Sequence, residues 1–428
     1  MTTKPFSALL TFFLACSSSF ASDSVLVSGT IANPSNSATN YGCPYGFTSG
    51  TWGSVETTRR ITCASAGTFS KFRVNLLTAP GSGNSYTFTI LKNGSSTGVT
   101  VAISGTATTG SDLSNTFTVV AGDMINVEAV PASTPTQPDG FRCSLVFSSD
   151  TAGESMLFAN SVSTLLTTTT KYLSFGGSIP GGTTTESLAQ IVIPTDGTLK
   201  NLVVNLQNAP GGIQTRTFTI YKNGSPELLL VTITGVATQG SDLGVTTVDV
   251  APGDVISIRA DASASAADSH AYVGLTFLAD TAGEFIIAAS PTGNLDNGNV
   301  EYTLITGGVP GDSPTETLKL SLTDAVTFKA IYVVLSGEPG AGNSYTFNLR
   351  DDIADAGLSV AISDAATTGN TTGASVSVAA GSLIATSSTP ASTPTTRTGM
   401  ISYLATVTAA GDRRVILISE KEDYKEAA

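Results

Sequence analysis

The sequence predicts an all-β protein of three tandem antiparallel β-sandwich domains of jelly-roll-like type. Three observations predict this fold. Ser, Thr and Gly are abundant and charged residues make up only 12% of the 428 residues, a composition that suits strands and tight turns better than surface helices. Short apolar segments alternate with turn residues about every 8–12 positions. One long unit is also written three times along the chain.

The repeat is clearest at three prolines. PGSGNSYTFTILKNGS begins at Pro80, returns as PGGIQTRTFTIYKNGS from Pro210, and returns again as PGAGNSYTFNLRDDIA from Pro339. DTAGE at 150–154 likewise matches Asp280–Glu284 and, loosely, TAAGD at 408–412. Because the matches keep their order over the whole unit, we predict domain boundaries from them. The predicted ranges are 22–160, 161–290 and 291–418, followed by a charged tail at 419–428.

Each unit reads as a series of short strands. In the quoted stretch Tyr86, Phe88 and Ile90 alternate with threonines, which is typical of a strand with one buried face. Asn93-Gly94 then supplies the two positive φ angles of a type I′ hairpin turn. In the third copy RDDIADAG replaces this turn and predicts a longer, looser connection. Strands of the first copy are predicted near 55–63, 69–77, 85–92, 97–103, 116–120, 124–130, 141–148 and 154–159.

The N-terminal segment 1–21 has the layout of a secretory signal. Lys4 precedes an apolar run from Phe6 to Ala15, and small residues allow cleavage before Ser22. The run is too short to span a bilayer. An alternative interpretation is a lipoprotein signal with lipidation of Cys16 in FLAC, and a third is an uncleaved strand. Export predicts a secreted or extracellular-surface location, with an outer-membrane lipoprotein or a virion as alternatives.

Cys43, Cys63 and Cys143 remain beyond the signal segment. Cys63 and Cys143 correspond by repeat to Ile193 and Val273, which are apolar strand positions. They are interpreted either as buried small hydrophobes or as a disulfide of domain 1 in an oxidising compartment. The chain has no Cys-x-x-Cys pair, so neither a zinc site nor a thioredoxin motif is indicated.

Charge and motifs narrow the function classes. The net charge of −13 argues against binding to nucleic acid or anionic membranes, and no glycine-rich phosphate motif occurs. The only histidine is His270, and GSSTG at 94–98 lies in a hairpin turn where a nucleophile elbow needs a strand followed by a helix. We therefore predict a protein that is not an enzyme. A secreted hydrolase using Ser96 and His270 is kept as an alternative.

Carboxylates recur at matching positions of the repeat. They either cap tight turns through neighbouring backbone amides or provide oxygen ligands for calcium. Turn capping is the simpler interpretation, so no cofactor is predicted and calcium is the alternative. The recurring positions are Asp112 and Asp242, Asp123 and Asp254, and Glu154, Glu284 and Asp412.

A proline loop, PASTPT, occurs at 131–136 and again at 390–395. Proline stiffens an exposed loop, which suits a rigid scaffold or a contact surface. The candidate contact residues are Pro131, Thr134, Pro135, Pro390, Thr393 and Pro394.

APGSGNSYTFTILKNG at 79–94 and GTATTGSDLSNTFTVVAGD at 105–123 resemble repeat modules of uncharacterised phage virion proteins and bacterial surface proteins. The resemblance covers all three units and is best in the first. It implies a jelly-roll-like structural or attachment role and brings no catalytic residues. The apparent signal segment departs from a phage virion protein, which is assembled in the cytoplasm.

The leading hypothesis is a non-enzymatic extracellular structural or attachment protein, on a cell surface or a virion. Tandem copies raise effective concentration without stronger single contacts. The predicted partners are further copies of the chain in a homo-oligomer, other structural proteins, or surface glycans. A calcium-dependent carbohydrate-binding protein is the alternative from another class.

Overall fold

The computed structural model describes residues 23–407, except 31–32, 46–51, 162, 166–168, 178, 290–292 and 308–312. The predicted signal segment with Cys16, and the charged tail with Asp412, lie outside the described residues. Within them the protein is all-β, with thirty strands and three short 3₁₀ turns, at Glu56–Thr58, Glu186–Leu188 and Glu316–Leu318. The predicted fold class is confirmed.

Unit 1 contains the first ten strands. They are β1 Asp23–Thr30, β2 Asn40–Gly42, β3 Ile61–Thr62, β4 Gly67–Leu76, β5 Gly81–Lys92, β6 Ser95–Gly105, β7 Thr109–Asp112, β8 Phe117–Val119, β9 Met124–Ala132 and β10 Phe141–Ser149.

Units 2 and 3 repeat this set. Unit 2 has β11 Glu154–Asn160, β12 Lys171–Leu173, β13 Ile191–Val192, β14 Gly197–Leu206, β15 Thr215–Lys222, β16 Ser225–Thr234, β17 Gln239–Asp242, β18 Val248–Val250, β19 Val255–Ala262 and β20 Ala271–Ala279. Unit 3 has β21 Glu284–Ala289, β22 Glu301–Thr303, β23 Ser321–Leu322, β24 Val326–Leu335, β25 Gly340–Asp351, β26 Ala354–Asp364, β27 Thr368–Thr371, β28 Val376–Val378, β29 Leu383–Ala391 and β30 Gly399–Val407.

Each unit contributes two antiparallel sheets of five strands. In unit 2 one sheet has the order β11-β20-β14-β17, with β18 also on β14, and the other has the order β12-β19-β15-β16, with β13 also on β19. The chain thus passes repeatedly from one sheet to the other, as in a jelly roll. The three cores lie between the paired sheets, because alternate residues such as Val99, Val101 and Ile103 of β6 are buried while their neighbours are exposed or half-buried.

Two local expectations differ from the structure. The segment predicted as one strand at 55–63 is a 3₁₀ turn followed by the two-residue β3. The third hairpin, expected to be longer and looser, closes in two residues like the others, because Asp352 and Ile353 both take positive φ, 47° and 70°. The Oδ1 atom of Asp352 accepts the Leu383 N–H at 2.9 Å, which holds this turn in place.

The segment at 154–159, predicted at the end of the first domain, forms β11 in the sheet of unit 2. β11 pairs with β20 over its whole length, from Glu154 opposite Leu278 to Asn160 opposite Tyr272. By strand pairing the second unit therefore includes residues before the expected boundary at 160. The division into three separate domains stays a prediction.

The three units contact each other in a closed ring. β3 of unit 1 packs on β20 and β11 of unit 2, β13 of unit 2 packs on β30 and β21 of unit 3, and β23 of unit 3 packs on β10 and β1 of unit 1. At the last junction Ser28 pairs with Leu322, which joins two five-stranded sheets into one of ten strands. The same short strand meets the next unit at every junction, so the arrangement is head-to-tail and closes after three units.

The first strand of each unit is buried on both faces and lies between two cores; we call β1, β11 and β21 the seam strands. In β11, Leu157 and Ala159 join the core of unit 2, whereas Met156 and Phe158 join the core of unit 1. β21 divides its residues between units 3 and 2 in the same way, and β1 between units 1 and 3. The seam strands therefore bury apolar surface across all three junctions.

Candidate functional site

The first recurring pair of carboxylates, Asp112 and Asp242, accepts hydrogen bonds from backbone N–H groups that follow it in the chain. Asp112 accepts the backbone N–H groups of Thr100, Ser114 and Asn115 at 3.0–3.2 Å, and the amide of Asn115 at 2.9 Å. Burial alone would raise the pKa of Asp112, but these hydrogen bonds hold it below its ordinary value. Asp242 accepts the N–H groups of Val245 and Thr246 in the same manner.

The second recurring pair ties the hairpin to a neighbouring loop. Asn93 Nδ2 donates to Asp123 Oδ1 at 2.7 Å, and Met124 N donates to Asn93 Oδ1 at 2.9 Å. Asn223 and Asp254 make the same bond in unit 2 at the same distance. Turn capping therefore accounts for the recurrence of the four aspartates.

The third recurring pair is bonded to other strands: Glu154 pairs with Lys200 at 2.7 Å, and Glu284 accepts from the Thr195 hydroxyl at 2.7 Å. Among the described residues no three His, Cys, Asp or Glu side chains are grouped as a metal site.

The proline loops of units 1 and 3 share one backbone hydrogen bond with the corresponding loop of unit 2, which has no proline. Thr136 N donates to Pro80 O and Thr395 N to Pro339 O, both at 2.8 Å, and unit 2 has the same bond from Ala267 N to Pro210 O. Of the six candidate contact residues only Thr134 and Thr393 are exposed; Pro135 and Pro394 are buried, and Pro131 and Pro390 are half-buried. A partner at these loops would meet the threonines, while the prolines fix the backbone.

The two residues of the hydrolase hypothesis line different clefts. Ser96 lies with Lys92 and Phe117 in a cleft of about 390 Å³. His270 lies with Arg59 and Thr58 in another of about 360 Å³, at the junction of units 1 and 2. Burial and the charge of Arg59 lower the pKa of His270, and its Nδ1 is buried without a hydrogen-bond partner among the described residues.

Cys43, Cys63 and Cys143 are buried free thiols in the structure, which agrees with the first of their two interpretations, as buried small hydrophobes. All three belong to the core of unit 1, as their counterparts Ile193 and Val273 belong to that of unit 2. Burial raises the pKa of Cys43 to about 12 and raises those of the other two thiols as well. These cysteines therefore act as small core hydrophobes.

A surface that the sequence interpretation missed lies on the outer edge of unit 2. β16 is the last strand of its sheet, and along it Leu229, Val231 and Ile233 point into the core while Leu228 and Leu230 face outward. The exposed apolar side chains at this edge, which we call the unit 2 edge, are Ile213 (88%), Leu228 (82%), Leu230 (41%), Val236 (89%) and Val245 (84%).

Hydrogen bonds locate the three residues of this edge that lie outside β16. Gly211 N donates to Gly235 O, and Gly235 N donates to Gln214 O, so Ile213 and Val236 flank one end of β16. β17 packs beside β16, and Val245 N is bonded to the Asp242 side chain at the end of β17. The apolar side chains thus lie on β16, at its end, and in the turn that follows the neighbouring β17.

The other two units lack this edge. The counterparts of Leu228 are Gly98 and Gly357, and those of Leu230 are Thr100 and Ser359, as the strand registers show. The signal was therefore present in the sequence, as large apolar residues in one copy where the others carry glycine, threonine or serine.

No known family model matches the chain, and no curated protein matches it in sequence. In the described part of the chain no helix is long and apolar enough to cross a membrane.

Proposed function

We propose that the chain is a non-enzymatic structural or attachment protein of a cell exterior or a virion, and that it associates with further copies of itself through the unit 2 edge. The observation that carries the proposal is the pair of exposed leucines on the outward face of β16, Leu228 and Leu230, with further exposed apolar side chains beside the strand. The scaffold folds without them, because units 1 and 3 have only Gly, Thr, Ser and Ala at the outward positions that match Leu228 to Thr234. Their exposure in unit 2 therefore calls for a partner.

Strand geometry supports a second copy as that partner. An edge strand offers unpaired backbone groups that add a further strand readily, and large apolar side chains strengthen the pairing. The outward residues of β16 from Leu228 to Thr234 are uncharged. Two chains of net charge −13 repel one another over most of their surface, and this edge lets two copies approach without opposing carboxylates.

The closed ring supports an attachment role. It holds three copies of each loop on one rigid scaffold, and the exposed Thr134 and Thr393 occupy equivalent places in it. Several weak contacts made together bind far more tightly than one. The ligands proposed for these loops are surface glycans, whose hydroxyl groups can form hydrogen bonds with the threonine hydroxyls.

The test compares Leu228→Thr/Leu230→Thr with wild type by sedimentation equilibrium. We expect self-association to weaken about tenfold or more, since each leucine loses an apolar contact worth about 1.5–3 kcal/mol. Leu113→Ser is the matched control, because Leu113 is an exposed apolar residue of unit 1. A wild-type protein that is monomeric, or equal weakening by Leu113→Ser, would contradict the proposal.

A further inference from the structure

The cleft at the junction of units 1 and 2 has a lining of mixed chemistry. Unit 1 contributes the segment that ends at Arg59, and unit 2 contributes His270 and a short segment before β12. The described lining combines a guanidinium, an imidazole, the aliphatic side chain of Val55 and hydroxyl groups such as those of Ser54 and Thr164. It contains no Asp or Glu side chain, although the chain has a net charge of −13. This cleft therefore suits an anionic ligand.

The Arg59 guanidinium is held in one orientation. Its Nη1 atom donates to the carbonyl oxygen and to the hydroxyl of Thr58, at 2.9 and 3.0 Å. Its Cζ and Nη2 atoms lie 3.0 Å from the point where a β-carbon on Gly53 would stand, so the guanidinium packs directly on glycine backbone. A side chain fixed in this way loses little conformational freedom when it binds a ligand.

His270 has an unsatisfied ring nitrogen beside this cleft. Its Nδ1 atom is buried without a hydrogen-bond partner among the described residues, whereas buried polar atoms in folded proteins are nearly always hydrogen-bonded. Its ring lies nearly parallel to that of Tyr272, with the centroids 6.5 Å apart. Because burial and the charge of Arg59 lower its pKa, the ring is neutral at pH 7 and offers a ligand one N–H donor.

Neither of the other two junctions has this combination of side chains. By the registers of the last strand of each unit, and by the three 3₁₀ turns, the counterparts are Gly140 and Thr398 for His270, Ala189 and Lys319 for Arg59, and Thr185 and Thr315 for Val55. The ring closes at those junctions without an arginine, a histidine or a valine at these places. The fold therefore does not account for the three side chains, and a ligand does.

We propose that this cleft binds a saccharide that carries a carboxylate, such as a uronic acid. Arg59 binds the carboxylate through charge-assisted hydrogen bonds, and His270 and the hydroxyls of Ser54 and Thr164 bind the sugar hydroxyls. Val55 is 52% exposed and gives the C–H face of the sugar ring an apolar contact. The volume of about 360 Å³ falls within the range of small-molecule sites, roughly 300–1,000 Å³. This cleft is separate from the unit 2 edge and from the threonine loops, so its ligand binding is independent of both.

The only histidine of the chain provides the test. Because His270 has no counterpart elsewhere in the sequence, its imidazole proton resonances report on this cleft in the whole protein. We expect glucuronate to shift them to saturation. Glucose, which lacks the carboxylate, and acetate, which lacks the sugar, should each bind at least about tenfold more weakly. No saturable shift with glucuronate, or equal affinity for glucose or acetate, would overturn the proposal.

Two substitutions that each remove one positive charge test the location. Arg59→Ala introduces the residue that unit 2 has at this place and should weaken glucuronate binding about tenfold or more. Arg60→Gln is the matched control, because its counterpart Gln190 bonds to Glu186 as Arg60 bonds to Glu56. This control should change the affinity less than about twofold, since Arg60 lies outside the described lining. Equal weakening by the two substitutions would indicate a general effect of charge and would overturn the proposal.

Discussion

The carbonyl oxygen of Thr62 in unit 1 lies 2.2 Å from the point where a β-carbon on Gly274 of unit 2 would stand. The Thr62 hydroxyl also donates to the carbonyl of Tyr272 at 3.1 Å, and Ser65 and Thr276 share a hydroxyl hydrogen bond of 2.6 Å. The edge strand of one unit thus lies directly on the backbone of the next, at a distance that only glycine allows.

Gly274→Val is expected to open the junction of units 1 and 2. The added side chain cannot fit against backbone, so we expect a loss of about 3 kcal/mol, measured as a lower unfolding midpoint in denaturant. The equivalent positions Ser144 and Ser402 have buried hydroxyls without partners among the described residues. Ser144→Ala and Ser402→Ala are the matched controls and should be neutral or slightly stabilising. A Gly274→Val protein as stable as wild type would show that this contact does not hold the ring.

Arg142 lies at the junction of units 3 and 1. Its guanidinium is buried and donates to the carbonyl oxygens of Leu320 and Thr317 in unit 3 and to Asn75 in unit 1; burial lowers its pKa to about 10. Lysine cannot reproduce this planar set of donors. We therefore expect Arg142→Lys to cost about 2–3 kcal/mol of unfolding free energy.

The matched control for Arg142 is Arg73→Lys. Arg73 pairs with Asp324 at 3.1 Å across the same junction, but its side chain is partly exposed. Its substitution should cost less than about 1 kcal/mol. Equal losses of unfolding free energy from the two substitutions would show that burial of the Arg142 guanidinium adds nothing to the stability of this junction.

Ile353 occupies a left-handed conformation that β-branched residues rarely adopt. Its φ is 70°, and its side chain is more than half exposed, so its removal forfeits little burial. The matching residues in units 1 and 2 are Gly94 and Gly224. We expect Ile353→Gly to raise the unfolding free energy by up to about 1 kcal/mol. Gly94→Ala, the reverse change at the same turn, should lower it by a similar amount.

His270 should make stability depend on pH. Because burial and Arg59 lower its pKa in the folded chain, the unfolded chain binds the proton more readily as the pH falls past about 6.5. Its contribution to stability is therefore complete above that pH and is lost progressively below it. Unfolding midpoints of wild type and His270→Asn between pH 7.5 and 5 isolate this effect, since the other titrating groups are common to both. Parallel curves would contradict it.

Much of the local structure could be predicted from the sequence, because it depends on neighbouring residues. The alternation around Phe88 predicted a buried strand face, and Asn93-Gly94 predicted a two-residue turn; both are confirmed. The capping role of Asp112 and Asp123 also follows from short spacings. The prediction of a longer connection at Asp352 was wrong, because strand pairing in unit 3 imposes positive φ on two residues that do not favour it.

The sequence by itself determined the all-β class, the threefold repeat and the tight turns, since these follow from periodicity and short-range backbone preferences. Tertiary structure decided which unit each strand joins. A segment such as Glu154–Asn160 is equally apolar whether it ends one unit or begins the next, and only its pairing with β20 settles the matter. Closure of the ring and the burial of both faces of the seam strands depend on contacts between residues more than a hundred positions apart. No local pattern records such contacts.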